Sequence, residues 1–163
     1  MAKNKEEKTN VMRVLEQKKI AYTAHTYPHE EGMAVDGATV AKFMGFDPAI
    51  VFKTLVARGA SKQYYVFDVP VAENLDLKKA AKAVGEKSIE MIHQKELLPL
   101  TGYVHGGCSP VGMKKLFPTV FHSSAENLAA MIVSAGKIGY QVELSPRDLA
   151  ALVRAKFADI IVE

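Results

Sequence analysis

Apolar residues first recur at helical spacing in Val11, Val14 and Leu15, with Arg13, Gln17 and Lys18 outside that face and Thr9 or Asn10 placed as its cap. Residues 21–27 then read as a strand stopped by Pro28. Asp36 caps a second helix that runs through Val40 and Phe43 to a stop at Gly45. Asp47-Pro48 opens a short turn or helix, with proline where its missing N–H costs nothing. The middle of the chain reads as a hairpin: residues 51–58 and 63–69 are β-rich runs joined by Gly59, Ala60, Ser61 and Lys62. Residues 75–84 are helical by pattern and end at Gly85. A short strand over 88–92 follows, then a short helix over 94–98 halted by Pro99. Met131–Ser134 and residues 139–144 read as strands joined through 135–138. Ser145-Pro146 caps a last helix through Leu149 and Val153, and residues 159–162 close as a strand. Several strand pairs are joined too tightly for crossover helices. The expected class is therefore α/β (α+β), with a curved mixed sheet flanked by helices.

Composition narrows this only a little. A chain of 163 residues with 48% hydrophobic and 24% charged side chains suits one globular domain over residues 1–163, and excludes a disordered or collagen-like chain. One cysteine forms no internal disulfide, and the start MAKNKEEKTN has no apolar core of signal-peptide type. No stretch approaches the ~18 apolar residues of a membrane span, so the cytoplasm is the expected compartment. The net charge of +3 sits in residues 1–20, which carry six basic and three acidic side chains. That excess suits steering of a polyanion or, equally, a solvated helix end.

Three places carry candidate chemistry. Six of the eleven glycines fall between positions 102 and 139, most densely in Gly102-Tyr103-Val104-His105-Gly106-Gly107-Cys108-Ser109-Pro110-Val111-Gly112. Such a run lets backbone amides approach oxygen atoms of a ligand, or it is a long structural turn. A second loop, Ser134-Ala135-Gly136-Lys137-Ile138-Gly139, lacks the first glycine and the Ser or Thr of a phosphate loop. The third place is Lys53, which alternation puts on one face with Val51 and Leu55, while Phe52, Thr54 and Val56 take the other. A lysine held there needs an anion or a carbonyl, unless it is an edge gatekeeper whose ammonium reaches water. His25 and His29 are about 13 Å apart in extended chain, too far to share a metal. His93, His105 and His122 have no ligand spacing, so no metal and no cofactor are expected. Cys108 near His105 is either a thiol nucleophile with a base or a small buried residue, the latter being commoner for so local a pair.

Val51-Phe52-Lys53-Thr54-Leu55, the 102–110 run and Val133-Ser134-Ala135-Gly136, in that order and spacing, resemble the YbaK/EbsC group of trans-editing proteins, which are free-standing relatives of the editing domain in bacterial prolyl-tRNA synthetases. The resemblance runs over nearly the whole chain. It implies a compact α/β domain with a barrel-like mixed sheet and an activity that deacylates mischarged tRNA, taking cysteine from tRNA-Pro and also from Cys-tRNA-Cys. It makes Gly106-Gly107-Cys108-Ser109-Pro110 the Gly-x-x-x-Pro loop that positions the aminoacylated 3′ adenosine. It makes Lys53 the lysine needed for activity, with Thr54, Ser134 and Gly136 around the same pocket and Tyr27 as its aromatic residue. On this resemblance Gln141 stands where several relatives carry Asp.

The resemblance also implies a mechanism that needs no protein nucleophile. The substrate's own thiol attacks the ester carbonyl and the ribose hydroxyl leaves, while amides of residues 106–110 stabilise the oxygen that gains charge. Lys53 would bind the terminal adenosine or its phosphate, or orient the ester, and Cys108 would be structural. The expected partners are aminoacyl-tRNA and, for added affinity, prolyl-tRNA synthetase. The competing readings are deacylation of another mischarged tRNA such as Ala-tRNA-Pro, a non-catalytic module that binds aminoacyl-tRNA or a synthetase, and a cysteine hydrolase built on Cys108.

Overall fold

The computed structural model describes residues 8–28 and 35–163. Helix α1 (Asn10–Gln17) starts where Thr9 Oγ1 accepts from Met12 N, and it buries Val11, Met12 and Leu15. Strand β1 (Tyr22–Thr26) leads toward helix α2 (Gly37–Met44), whose cap is Asp36, with Gly45 ending it. The hairpin is formed by β2 (Phe52–Gly59) and β3 (Tyr64–Pro70). Helix α3 (Leu77–Val84), strand β4 (Ile89–Met91) and helix α4 (Gln94–Thr101) follow. After the glycine-rich run come β5 (Thr119–His122), a 3-10 helix over Ser123–Asn127, β6 (Met131–Ser134) and β7 (Tyr140–Leu144). Helix α5 (Pro146–Val153) and β8 (Lys156–Ala158) finish the chain.

The strands form two sheets. One has the order β1-β7-β6 and is antiparallel; the other has the order β4-β2-β3-β5-β8, with β3–β5 and β5–β8 parallel. The mixed α/β arrangement expected from the short connections is therefore present, and a bridge between Val51 and Ile132 joins the sheets without closing a barrel. Apolar side chains cover both faces of β2. Phe52 and Val56 belong to a core with Leu15, Phe121, Met131 and Leu149, while Leu55 and Ala57 pack with Phe67, Val69, Ala80 and Ile160. A third cluster of Ala41, Val51, Val71 and Ile132 lies at the seam where the two sheets meet under α2. Among the described residues no helix is long and apolar enough to cross a membrane.

Three elements differ from the pattern reading. Helix α4 does not halt at Pro99 but carries it inside and ends at Gly102, which has φ of 89°. Proline removes one donor, yet Thr101 Oγ1 donates to Leu97 O at 2.7 Å and Gly102 N to Leu98 O at 2.8 Å, so the last turn stays closed. Residues 119–127 form a strand and a 3-10 helix that alternation did not reveal, because all four residues of β5 are buried. The last strand lies at Lys156–Ala158 rather than 159–162. Past Ala158 the amides turn elsewhere: Ile160 N donates to His122 Nδ1, Ile161 N to Asp159 Oδ1 and Val162 N to Asn74 O.

Candidate active site

The seam between the sheets holds a cavity of about 280 Å³. Its floor is the start of β2, so residues from both faces of that strand reach it, Lys53 and Thr54 among them. Asp36, Gly37 and Val40 come from the start of α2, and Ser134, Tyr140 and Gln141 from the β6–β7 hairpin. His105, Gly106 and Cys108 come from the glycine-rich loop, and Tyr27 from just beyond β1. Segments more than a hundred residues apart in sequence are brought together here.

Lys53 is half-buried and has no hydrogen-bond or salt-bridge partner among the described residues. Burial pulls its ammonium below the ordinary lysine range, while the charges of Asp36 and Glu73 work against that. Asp36 is committed to capping: it accepts from the amides of Ala38 (3.0 Å) and Thr39 (3.3 Å) and from the Thr39 hydroxyl. The Thr39 hydroxyl and amide do most to hold it below the usual carboxylate range, with Lys53 adding a smaller pull. Lys53 is thus a cation without a direct partner in a concave, partly desolvated site, which is a place for a ligand's oxygen atoms.

Thr54 Oγ1 donates to Asp68 Oδ1 across the hairpin at 2.5 Å, the two residues being register partners. Asp68 is wholly buried, and burial pushes its carboxyl up to about 7 against the opposing effect of the Thr54 bond. Cys108 is 8% exposed, and burial, with a smaller contribution from Asp68, pushes its thiol up to about 12. Near neutral pH that thiol keeps its proton, and no hydrogen bond joins it to His105 among the described residues. Gln141 is 7% exposed, and its Oε1 has no hydrogen-bond partner among the described residues.

Seven of the residues expected from sequence therefore line one cavity: Tyr27, Lys53, Thr54, Gly106, Cys108, Ser134 and Gln141. Four do not. Gly107 has its N–H committed to Val104 O at 3.0 Å, so that amide is not free to stabilise an oxyanion. A side chain there would meet Ile138 N at 3.1 Å and Lys137 Cα at 3.3 Å, so Gly107 serves the packing of its loop on the β6–β7 turn. Ser109 is wholly buried, and its hydroxyl accepts from Val111 N at 3.2 Å. Pro110 faces a separate cavity of about 140 Å³ near Val14 and Leu152. Gly136, with φ of 91°, sits where a side chain would meet Tyr103 Cε1 at 2.9 Å and Val11 Cγ2 at 3.0 Å; it supports the fold. The amides of Gly106 and Cys108, by contrast, have no protein partner among the described residues.

Asp36, His105 and Tyr140, which line the cavity, and Asp68, which lies behind Thr54, are not singled out as site residues by the sequence. In the sequence Asp36 reads only as a helix cap and His105 only as a candidate base for Cys108. The signal for Asp68 was a single carboxylate inside the apolar run Tyr64-Tyr65-Val66-Phe67-Asp68-Val69. Of the two histidines tested for metal spacing, His25 is engaged by Glu143 Oε1 at 2.8 Å, and His29 lies outside the described residues.

Comparison with known proteins agrees with this geometry. The family described as the aminoacyl-tRNA editing domain matches residues 29–152. A protein of Enterococcus faecalis, provisionally named Cys-tRNA(Pro)/Cys-tRNA(Cys) deacylase EbsC, is 45% identical over 161 residues, 98% of each chain. Two solved structures share the fold. One, described provisionally as a trans-editing enzyme for prolyl tRNA synthetase, superposes with a TM-score of 0.79 at 24% identity, covering 94% of this chain and 95% of its own. The other, a hypothetical protein, has a TM-score of 0.82 at 20% identity over 93% and 99% of the two chains. The seam cavity and the full-length likeness lead to one conclusion: the chain belongs to the aminoacyl-tRNA editing domain family.

Proposed function

We propose that this chain, as one editing domain over residues 1–163, is a trans-editing deacylase that removes cysteine from mischarged tRNA(Pro) and from Cys-tRNA(Cys). The substrate comes from the full-length relative that carries that name. The observation that carries the mechanism is the cavity itself, where Lys53, with no hydrogen-bond or salt-bridge partner among the described residues, faces a lining whose one thiol is pushed up to about 12. A volume of about 280 Å³ lies just below the ~300–1,000 Å³ of drug-sized pockets. It suits an aminoacyl ester, with most of the terminal adenosine outside.

The substrate then supplies the nucleophile. The cysteine sulfur attacks its own ester carbonyl, a C–S bond forms, and the bond to the ribose oxygen breaks. The proton lost by the thiol ends on that ribose oxygen, and water opens the resulting four-membered thioester to free cysteine. The chain's part is positioning and charge stabilisation. The amides of Gly106 and Cys108, without a partner among the described residues, receive the carbonyl oxygen as it gains charge. Lys53 holds the ester or the adjoining phosphate. Gln141 Oε1, buried and without a hydrogen-bond partner among the described residues, accepts from the α-ammonium. Ser134 Oγ already accepts from Gly136 N at 3.1 Å and keeps its own proton to give. Esters of alanine, serine or proline bind without a sulfur nucleophile. In this reading the protein works in the cytoplasm and borrows tRNA affinity from prolyl-tRNA synthetase, since its own charge excess is only +3.

The test is a deacylation time course on Cys-tRNA(Pro), with Ala-tRNA(Pro) and Ser-tRNA(Pro) in parallel. Loss of cysteine alone supports the reading. Preferential loss of alanine keeps the editing function and removes the thiol mechanism, and no loss from any of the three leaves a binding module.

A further inference from the structure

Asp68 lies in the middle of β3, paired with Thr54 of β2 on one side and Phe121 of β5 on the other. Its chain neighbours Phe67 and Val69 are as fully buried as it is. The carboxyl does not line the cavity, but Thr54 does, and Thr54 Oγ1 lies 2.5 Å from Asp68 Oδ1. The other carboxyl oxygen, Oδ2, has no hydrogen-bond partner among the described residues. The group that acts on Asp68 is the Thr54 hydroxyl from β2; Asp68 in turn acts on the Cys108 thiol of the glycine-rich loop, and Phe121 on β5 is apolar. Lys53, next to Thr54 in sequence, has Asp36 and Glu73 as its charge partners instead.

A hydroxyl has one proton to give. While Asp68 is ionised, Thr54 spends that proton on Oδ1 and shows only lone pairs to the cavity. When Asp68 is neutral with its proton on Oδ1, the carboxyl donates to Thr54 Oγ1 and the Thr54 O–H is released toward the cavity. The unpaired Oδ2 weighs toward the neutral form, because a buried carboxylate oxygen with neither donor nor counter-ion is costly. A separation of 2.5 Å is at the short end for an O–H···O bond and fits either direction of donation.

We propose that Asp68 is a positioning residue for deacylation, which in its neutral form turns the Thr54 O–H onto the ester oxygen of the substrate. The proposal rests on the deacylase reading. Thr54 then joins the Gly106 and Cys108 amides as a donor to the oxygen that gains charge, and ionisation of Asp68 withdraws it.

The test is kcat/KM for Cys-tRNA(Pro) against pH from 5.5 to 9 in the wild type, Asp68→Asn and Thr54→Val. An asparagine amide donates to Thr54 Oγ1 at every pH, and ionisation of the substrate thiol is common to both proteins. The ratio of Asp68→Asn to wild type should therefore be lowest at acid pH and climb about tenfold per pH unit above roughly 7. In Thr54→Val, which severs the hydrogen bond of Asp68 to the cavity wall, the same alkaline loss seen in the wild type should be absent. This variant also decides the matter if Asp68→Asn fails to fold. A flat ratio, or an alkaline loss that survives in Thr54→Val, overturns the proposal while leaving the deacylase reading intact. A ratio that falls with pH also overturns it, by making Asp68 a proton acceptor. Absence of cysteine release from the wild type at every pH overturns both.

Discussion

Asp68→Asn also makes a prediction about the folded protein with no substrate present. Burial lifts the Asp68 carboxyl from 3.8 to about 7, so the fold holds the proton more tightly than the unfolded chain does. The stability that this proton confers is fully present below the unfolded value and is lost as pH rises through the folded one. The window therefore runs from about pH 4 to about pH 7. Each pH unit inside it costs about 1.4 kcal/mol, and the whole window about 4 kcal/mol, a large share of the ~5–15 kcal/mol of a typical domain. Asparagine carries no charge at either end, so every other titrating group cancels in the difference between the two proteins. Urea unfolding at half-unit steps from pH 4 to 8 should show the variant gaining on the wild type by about 1.4 kcal/mol per unit, then levelling above pH 7, with an unchanged m-value. Parallel curves across that range would refute the account of Asp68 as a carboxyl that burial keeps neutral.

Lys53→Ala should lower kcat/KM for Cys-tRNA(Pro) by roughly 10²–10³, the range for loss of a single charge-stabilising group, with circular dichroism and thermal unfolding close to wild type. Cys108→Ala should retain deacylation within a few-fold, because a thiol pushed up to about 12 contributes no thiolate near neutral pH; loss of activity in a folded variant would restore the protein-nucleophile mechanism. Binding of the isolated chain to tRNA should weaken roughly 40-fold between 50 and 200 mM salt, as about three phosphate contacts require, and a salt-independent Kd would show that the charge excess in residues 1–20 is not what meets the tRNA.

Local chemistry made most of the fold legible. The caps Thr9, Asp36 and Ser145 and the stops Gly45 and Gly85 announced α1, α2, α3 and α5, because each satisfies orphan backbone groups with its own atoms or its own φ. The hairpin was visible for the same reason. Strand β5 was not, since a strand buried on both faces shows no alternation, and its partners β3 and β8 lie far away in sequence. In the site, Lys53 stood out as a cation on an apolar strand. The role of Gly107 did not, because what limits it is the backbone of Lys137 and Ile138, thirty residues on.

The same distinction explains why Asp68 was passed over although it lies in the best-read hairpin. Its burial is set by β5, which adds a third strand beside β3, and by the glycine-rich loop that brings Cys108 close; neither is local. What a sequence does contain is the register. Once Gly59 N bonds Gln63 O at the turn, counting back pairs Thr54 with Asp68. A hydroxyl opposite a carboxylate is an ordinary surface pair in an exposed hairpin. It acquires chemical weight only when a second sheet packs against the first and leaves a cavity at the seam, with Thr54 on its wall and Asp68 behind it. The reactivity of this site therefore belongs to the joint between the two sheets, and substitutions at the Val51–Ile132 bridge should affect it more than equally buried substitutions in the core under α3.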